Sequence, residues 1–98
     1  MMYATKIIMQ QGCSNSNSTQ EIAEIYIDCK TPRYYTKAEV YSHLKKHPDT
    51  IKVKISPYPF LIPAVSSNGE KYVRSAPNDT EHDNLLELPR MRRLKKSS

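Results

Sequence analysis

Alternating apolar and polar residues open the chain and predict two strands. In the second, Ile22–Cys29, the residues Ile25, Ile27 and Cys29 alternate with polar ones, which is the period of a half-buried antiparallel strand. A polar loop rich in Ser and Asn separates it from the first strand, Tyr3–Met9. Simple alternation in the first strand puts four side chains on one face and three on the other: Tyr3, Thr5, Ile7 and Met9 against Ala4, Lys6 and Ile8.

A helix follows, and local chemistry marks its start. Thr36 and Glu39 have the spacing of a capping box, in which each side chain accepts a hydrogen bond from the backbone N–H of the other residue. Val40 and Leu44 lie one turn apart and form a narrow apolar stripe. A proline shortly after residue 46 disfavours further helix, so the helix is predicted over Lys37–Lys46.

The next residues predict three more strands. Residues 51–55 alternate Ile, Lys, Val, Lys and Ile, which indicates a strand with a basic outer face. Residues 58–65 contain prolines, which lack a backbone donor, so this segment can pair only as an edge strand or as two pieces around a bulge. Asn68 and Gly69 favour a type I′ turn, with positive φ at both residues, and make residues 58–65 and 70–75 antiparallel neighbours.

A short helical turn is predicted near the C-terminus, where three leucines can pack onto the sheet: Leu85, Leu86 and Leu88. Asp83 and Asn84 before them are residue types that cap backbone donors. We therefore expect one α+β domain over residues 1–89, with an antiparallel sheet of about five strands in ββαββ order packed on one helix. Residues 90–98 are expected to be a disordered basic tail.

The charge is unevenly distributed along the chain. The formal net charge is +5, and residues 90–98 contain five Lys or Arg residues and no acid, so the remainder is neutral. Within that remainder, residues 30–54 hold seven basic and two acidic side chains, whereas residues 78–88 hold four acidic ones and no Lys or Arg. A basic region of this kind suits an acidic partner, nucleic acid included.

Composition also argues against several classes of protein. The chain has no apolar run of the roughly 18 residues that a transmembrane helix needs, and its first residues lack the apolar centre and cleavage site of a signal peptide. A cytoplasmic protein without membrane contact is therefore expected. In that compartment Cys13 and Cys29 are expected to be free thiols, with a disulfide between them as the alternative.

The histidines give weak signals for chemistry. His43 and His47 lie four residues apart on the predicted helix, but the sequence offers no third metal ligand and no Cys–His spacing of a zinc site. His82, between Glu81 and Asp83, is the best local candidate for acid–base catalysis, yet adjacent side chains usually point apart in a solvated turn. We therefore expect no metal, no cofactor and no catalytic residue.

Three motifs point to a family. Residues 35–40, Tyr-Thr-Lys-Ala-Glu-Val, form the helix entry, and residues 71–74, Lys-Tyr-Val-Arg, close the last hairpin. The third motif, Asp-Asn-Leu-Leu-Glu-Leu-Pro, occupies residues 83–89. With these motifs the sequence from about Tyr3 to Met91 resembles the domain-of-unknown-function family 3892, a family of small bacterial and phage domains. The resemblance implies the fold and no activity, because none is assigned to the family.

Surface chemistry favours a non-enzymatic binding module that acts by occupying a macromolecular partner. A protein partner is favoured, and the phage-type resemblance makes a small inhibitor of a host machine one form of this hypothesis. The alternatives are an electrostatic binder of nucleic acid or nucleotides, which would use residues 30–54 and the tail, and a small enzyme around His82; a homodimer is also open. Exposed Tyr and Arg side chains often anchor partners or stack on bases. The candidate binding residues are Tyr26, Arg33, Lys37, Lys45, Lys52, Lys54, Tyr72, Arg74, Arg90, Arg92 and Arg93.

Overall fold

The computed structural model describes residues 2–12, 15–55, 58–76 and 83–91, and within these ranges the elements follow the order βββαβββ. The elements are β1 (Met2–Met9), β2 (Ile22–Asp28), β3 (Arg33–Thr36), α1 (Lys37–Lys46), β4 (Ile51–Val53), β5 (Leu61–Val65) and β6 (Lys71–Ser75). Two short 3-10 turns cover Thr19–Glu21 and Asn84–Glu87. The mixed α+β class predicted from the sequence is confirmed.

The strands form two sheets, so the prediction of a single five-stranded sheet in ββαββ order is wrong in detail. One sheet has the strand order β3-β2-β1-β4, and the other pairs β5 with β6. A bridge between Lys52 and Phe60 links the two sheets. The chain turns at Tyr58, which has a positive φ of 59°. Residues 58–65 then pair as two pieces: Phe60 bridges to Lys52 of β4, and Leu61–Val65 pair with β6.

The four-stranded sheet is also not purely antiparallel, because β4 runs parallel to β1. Parallel neighbours need a long crossover, and here the chain makes it through β2, β3 and α1. β3 itself is a strand that the sequence pattern does not predict. It has the sequence Arg-Tyr-Tyr-Thr, which shows no apolar–polar alternation, and it is defined by its antiparallel pairing with β2.

A β-bulge in β1 determines which of its side chains face the core. Ala4 pairs with Ile27, and Lys6 pairs with the residue before Ile27, so Thr5 is an extra residue in β1. The bulge reverses the alternation, and Ile7 therefore faces the core together with Ala4, both fully buried. The face assignment made from simple alternation is wrong for this reason.

The helix is confirmed over its full predicted length, Lys37–Lys46. Thr36 Oγ1 accepts a hydrogen bond from the Glu39 N–H at 3.2 Å, and Glu39 Oε1 accepts one from the Thr36 N–H at 2.9 Å, as the capping box requires. The apolar stripe of Val40 and Leu44 is buried. Within the part of the chain that the structure describes, no helix is long and apolar enough to cross a membrane.

The hairpin of β5 and β6 is confirmed, but its turn is not type I′. Gly69 has a positive φ of 81°, whereas Asn68 does not. The Gly69 N–H donates to Ser66 O, and the Ser66 N–H donates to Glu70 O, both at 2.9 Å. This is a type I turn followed by a glycine at a bulge, the connection that ranks next after the two-residue turns in hairpins.

The core lies between one face of the four-stranded sheet and a layer made of α1 and the hairpin. Each part contributes side chains that are at most 1% exposed: Ile7 and Ile25 from the sheet, Leu44 from the helix, and Leu61 and Val73 from the hairpin. The opposite face of the four-stranded sheet is therefore its outer face.

The predicted C-terminal helical turn is confirmed as the 3-10 turn Asn84–Glu87, whose two leucines are buried. Asp83 caps it and ties it to the hairpin. Its Oδ1 accepts hydrogen bonds from the Leu85 N–H at 2.9 Å and from the Ser75 hydroxyl at 2.7 Å. Asp83 of the third motif is therefore a structural cap, as its residue type indicates.

Arg90 and Met91, which the sequence assigns to the basic tail, pair with β1. The Ile7 N–H donates to Pro89 O at 3.0 Å, and the Met91 N–H donates to Ile7 O at 2.7 Å. The backbone pairing of the C-terminal segment with β1 thus extends past Pro89. The rest of the predicted tail, residues 92–98, lies outside the described residues.

Candidate functional site

The outer face of the four-stranded sheet concentrates aromatic rings and lysines. Directly paired residues project to the same side of a sheet. Lys6 pairs with Tyr26, Tyr26 pairs with Tyr34, and Tyr3 pairs with Lys52. The side chains of these five residues therefore lie on this face. Lys54 joins them by its contact with the Tyr3 ring, and Phe60 joins them because Lys52 lies over its ring. We define the aromatic–lysine face as Tyr3, Lys6, Tyr26, Tyr34, Lys52, Lys54 and Phe60.

Each lysine of this face lies over an aromatic ring of the same face. The distances from Nζ to the ring centre are 5.0 Å for Lys6 over Tyr26, 5.1 Å for Lys54 over Tyr3, and 4.9 Å for Lys52 over Phe60. These distances are within the roughly 6 Å of a cation–π contact, which contributes about 0.5–1 kcal/mol at exposed sites. Cationic and aromatic groups are therefore interleaved across three strands.

Two tyrosines form the centre of the β2–β3 side of this face. The rings of Tyr26 and Tyr34 are 5.1 Å apart with an interplanar angle of 79°, an edge-to-face contact. Burial raises the pKa of Tyr34, and the nearby Tyr26 and Glu24 raise it further. Both rings are half-buried, so each is fixed by packing while part of it stays accessible.

Among the residues that the structure describes, the acidic side chains on this face belong to one strand. Glu24 and Asp28 both belong to β2 and project outwards, as the register with β1 requires. The lysines belong to β1 and to β4 with the residue that follows it. The face is thus divided into a lysine-rich half along β1 and β4 and a half along β2 and β3 that carries tyrosines and acids.

Two of the predicted basic site residues are engaged in contacts within the fold. Arg33 Nη2 lies 3.3 Å from Glu39 Oε2, and its guanidinium stacks on the Tyr35 ring at 3.9 Å from the ring centre. Lys37 forms an ion pair with Glu70 and donates a hydrogen bond to the Gln20 carbonyl at 2.7 Å. Both residues join β3 or α1 to neighbouring segments, which gives them a structural role.

The remaining predicted site residues do not form one surface. Tyr72 and Arg74 lie on the outer side of β6, because Val73 between them is buried, and thus belong to a different sheet from Tyr26. Lys45 is exposed in the last turn of α1. Arg90 donates to the Leu86 carbonyl at 3.4 Å. Arg92 and Arg93 lie outside the described residues.

The sequence pattern identifies Tyr26, Lys52 and Lys54 but misses four residues of the aromatic–lysine face: Tyr3, Lys6, Tyr34 and Phe60. Simple alternation puts Tyr3 on the same face as Ile7, because it does not include the bulge. Tyr34 belongs to a strand without an alternating pattern, and Phe60 joins the face through a single bridge to β4. The sequence feature that could have indicated this face is the frequency of Tyr and Lys residues in the N-terminal half of the chain.

His43 of α1 and His47, the residue that caps the C-terminal end of the helix, lie side by side and form a small hydrogen-bonded cluster with the following loop. Their ring centres are 5.2 Å apart. Thr50 Oγ1 donates to the His47 carbonyl at 2.7 Å, which uses the only hydroxyl proton. His43 Nε2, 3.0 Å from the same oxygen, must therefore be the donor in that contact, so Nδ1 is the acceptor in the neutral ring.

Stability should fall on mild acidification because of His43. Burial lowers the pKa of His43 from its ordinary 6.5, and His47 lowers it further. Below pH 6.5 the unfolded chain takes up a proton that the folded chain resists, so stability that is fully present above pH 6.5 is lost as the pH falls through the folded pKa. Urea unfolding at a series of pH values measures this, and His43→Gln, which can still donate to Thr50, should flatten the decline.

The control for this prediction is His47→Gln on the exposed neighbour. It should leave most of the decline in place, because burial of His43 is the larger cause. An unchanged pH dependence in His43→Gln would contradict the assignment. Carboxylates contribute at lower pH, near their ordinary pKa values of about 4, so the comparison belongs above about pH 5.5.

The predictions on metals, thiols and catalysis are tested only in part. Among the described residues, no group of three or more His, Cys, Asp or Glu side chains is arranged to hold a metal ion. Cys29 has no disulfide partner among the described residues, and its thiol donates weakly to the Thr31 carbonyl at 3.4 Å. Cys13 and His82 lie outside the described residues, so the disulfide alternative and the acid–base candidate stay predictions.

Comparison with known proteins assigns the family. No curated protein and no solved structure matches the chain. A family model described as "Protein of unknown function (DUF3892)" matches residues 3–89, which is most of the chain and the part that the three motifs indicate. The chain therefore belongs to the DUF3892 family.

Proposed function

We propose that this protein is a non-enzymatic binding module for single-stranded nucleic acid, and that the aromatic–lysine face is its binding surface. The observation that carries the proposal is the set of three lysines, each lying over an aromatic ring on one face of the sheet. Proteins that bind single strands combine cationic groups, which follow the phosphates, with aromatic rings, on which bases stack. The outer sheet face supplies both within one surface.

The contact energies favour replacement of each lysine–ring contact by a base stacked on the same ring. Stacking of a base on an aromatic side chain contributes about 1–3 kcal/mol, compared with about 0.5–1 kcal/mol for an exposed cation–π contact. A base therefore displaces the ammonium group from the ring. The lysine, on its flexible four-carbon stem, then binds the adjacent phosphate.

The charge layout gives the bound strand an orientation. Lysines lie along β1 and β4, whereas Glu24 and Asp28 lie on β2. A phosphate backbone is attracted to the first pair of strands and repelled from the acids of β2. The backbone would thus run along β1 and β4, and bases would point towards Tyr26 and Tyr34.

This layout favours nucleic acid over the protein partner expected from sequence. The protein-partner hypothesis groups Tyr26 with Tyr72 and Arg74, which belong to a different sheet. The nucleic-acid alternative gains four residues on one surface, and it no longer depends on Arg33 and Lys37, which are engaged within the fold. The four are Tyr3, Lys6, Tyr34 and Phe60.

Replacing Tyr26 by Ala should weaken binding of a fluorescent oligothymidylate of about 10 nucleotides by roughly tenfold, because one stacking platform is removed. Fluorescence anisotropy at about 50 mM salt measures the affinity, and the affinity of the unmodified chain should fall steeply as salt is added. The matched control is Tyr72→Ala, a half-buried tyrosine on the hairpin, which should bind as the unmodified chain does. Undetectable binding, binding insensitive to salt, or equal losses in the two variants would reject the proposal.

A further inference from the structure

A cleft opens on the other side of the four-stranded sheet, between its inner face and α1. It has a volume of about 320 Å³ and is lined by the apolar side chains Met2, Ile27, Val40 and Ile51 and by the polar side chains Cys29, Tyr35, Glu39 and His43. This volume is at the lower end of the range for small-molecule sites, which combine apolar walls with a few polar groups. The cleft does not overlap the aromatic–lysine face, so a ligand could bind there whether or not the outer face binds nucleic acid.

The polar groups of the cleft are already committed as hydrogen-bond donors. The Tyr35 hydroxyl donates to the Thr31 carbonyl at 2.8 Å, and the Cys29 thiol donates to the same oxygen at 3.4 Å. His43 donates from Nε2 to Thr50, whose own hydroxyl proton is used elsewhere. These three groups can offer a ligand only lone pairs, on the phenol oxygen, the sulfur and Nδ1.

Glu39 supplies the charge. Its carboxylate accepts one hydrogen bond on each oxygen, from the Thr36 N–H at 2.9 Å and from Arg33 at 3.3 Å. The Arg33 contact is an ion pair between side chains that are 52% and 47% exposed, and exposed pairs of this kind contribute little, so a ligand ammonium group can compete with Arg33 for the carboxylate. The hydrogen bond from the Thr36 backbone is the largest cause that lowers the pKa of Glu39, so this group is ionised at neutral pH. Burial lowers the pKa of His43 and keeps its ring neutral there.

From this arrangement we propose that the cleft binds a small ligand that carries an ammonium group on an apolar body. The apolar body would pack against Ile27, Val40 and Ile51. The ammonium group, which has three donors and no acceptor, would match the acceptor-only polar lining and the Glu39 carboxylate. A ligand that ends in a carboxylate would meet lone pairs and the like charge of Glu39 instead, and the nearby Arg33 guanidinium is already paired with Glu39 and stacked on Tyr35.

Two probes of one shape test this proposal. Tryptamine and indole-3-propionate share an indole ring and a two-carbon chain, and they end in an ammonium group and a carboxylate respectively. The readout is the rate at which iodoacetamide alkylates Cys29, in the full chain with Cys13→Ser, because Cys29 lines the cleft. Tryptamine at roughly nine times its dissociation constant should slow alkylation about tenfold by occupying the site, and indole-3-propionate should leave the rate unchanged.

A variant of the carboxylate isolates the charge. Glu39→Gln keeps a capping-box side chain, since Gln serves there as Glu does, and it should abolish most of the protection by tryptamine. The matched control is Glu87→Gln, an exposed carboxylate outside the cleft, which should retain full protection. No protection by tryptamine, equal protection by both probes, or full protection in Glu39→Gln would overturn the proposal. The comparison of the two probes needs no substitution of Glu39. It therefore shows whether the cleft prefers an ammonium group even where Glu39→Gln alters the helix.

Discussion

Replacement of Asp83 by Ala should lower the free energy of unfolding by about 3 kcal/mol. The carboxylate accepts hydrogen bonds from the Ser75 hydroxyl at 2.7 Å and from the Leu85 N–H at 2.9 Å, and both of its oxygens lie 3.2 Å from the Ser75 nitrogen. Hydrogen bonds to a charged group each contribute about 1.5–3 kcal/mol, and buried donors left without an acceptor add to the loss. Ser75 is 3% exposed and Leu85 is fully buried, so water cannot easily replace the carboxylate.

Urea unfolding followed by circular dichroism measures this effect, with Glu87→Ala as the control. Glu87 belongs to the same 3-10 turn but is exposed, and its removal should change stability by less than about 0.5 kcal/mol. Asp83→Asn should fall between the two, because the amide oxygen can accept one of the hydrogen bonds without the charge. Similar losses in Asp83→Ala and Glu87→Ala would show that the cap does not hold the turn to the hairpin.

Reversal of two charges on the aromatic–lysine face, in the double variant Lys6→Glu and Lys54→Glu, should weaken binding of single-stranded nucleic acid on the order of 100-fold at about 50 mM salt. Both side chains are exposed and lie over the rings of Tyr26 and Tyr3. Each substitution removes a cation that neutralises one phosphate, and each glutamate adds repulsion. The slope of log affinity against log salt should also become shallower, by roughly 0.7 for each phosphate that is no longer neutralised.

The matched control reverses Lys45 and Lys46, which are exposed near the end of α1. This variant has the same net charge as the first, so a purely non-specific attraction would weaken equally in both. We expect less than about a threefold loss in the control, due to the changed net charge alone. Equal losses would assign binding to total charge and would show that the aromatic–lysine face is not the binding surface.

The parts of the fold that the sequence predicts well are those specified by neighbouring residues. The capping box of Thr36 and Glu39 needs only local contacts, and the helix bounds follow from it. The leucine turn behind Asp83 is specified in the same way. By contrast, the bulge at Thr5 depends on the register with β2, which simple alternation does not consider. β3 has no alternating pattern of its own and is defined only by its pairing with the preceding strand.

The candidate site is predicted less completely, and for the same reason. Tyr26, Lys52 and Lys54 carry an evident outer-face pattern. Arg33 and Lys37 carry the same charge but are engaged by glutamates of α1 and of the hairpin, and charge along the sequence cannot distinguish an ion pair from an accessible cation. The partners of a side chain become known only with the tertiary fold.

Two-dimensional NMR of the labelled chain can show whether single-stranded nucleic acid binds the outer face of the four-stranded sheet. An oligothymidylate of about 10 nucleotides is titrated in at low salt, and amide shifts are mapped onto the fold. We expect the largest shifts in β1, in β2 and around Phe60, and nearly unchanged shifts for Tyr72 and Arg74. Shifts concentrated in β6 or at the end of α1, or no shifts at all, would contradict this expectation.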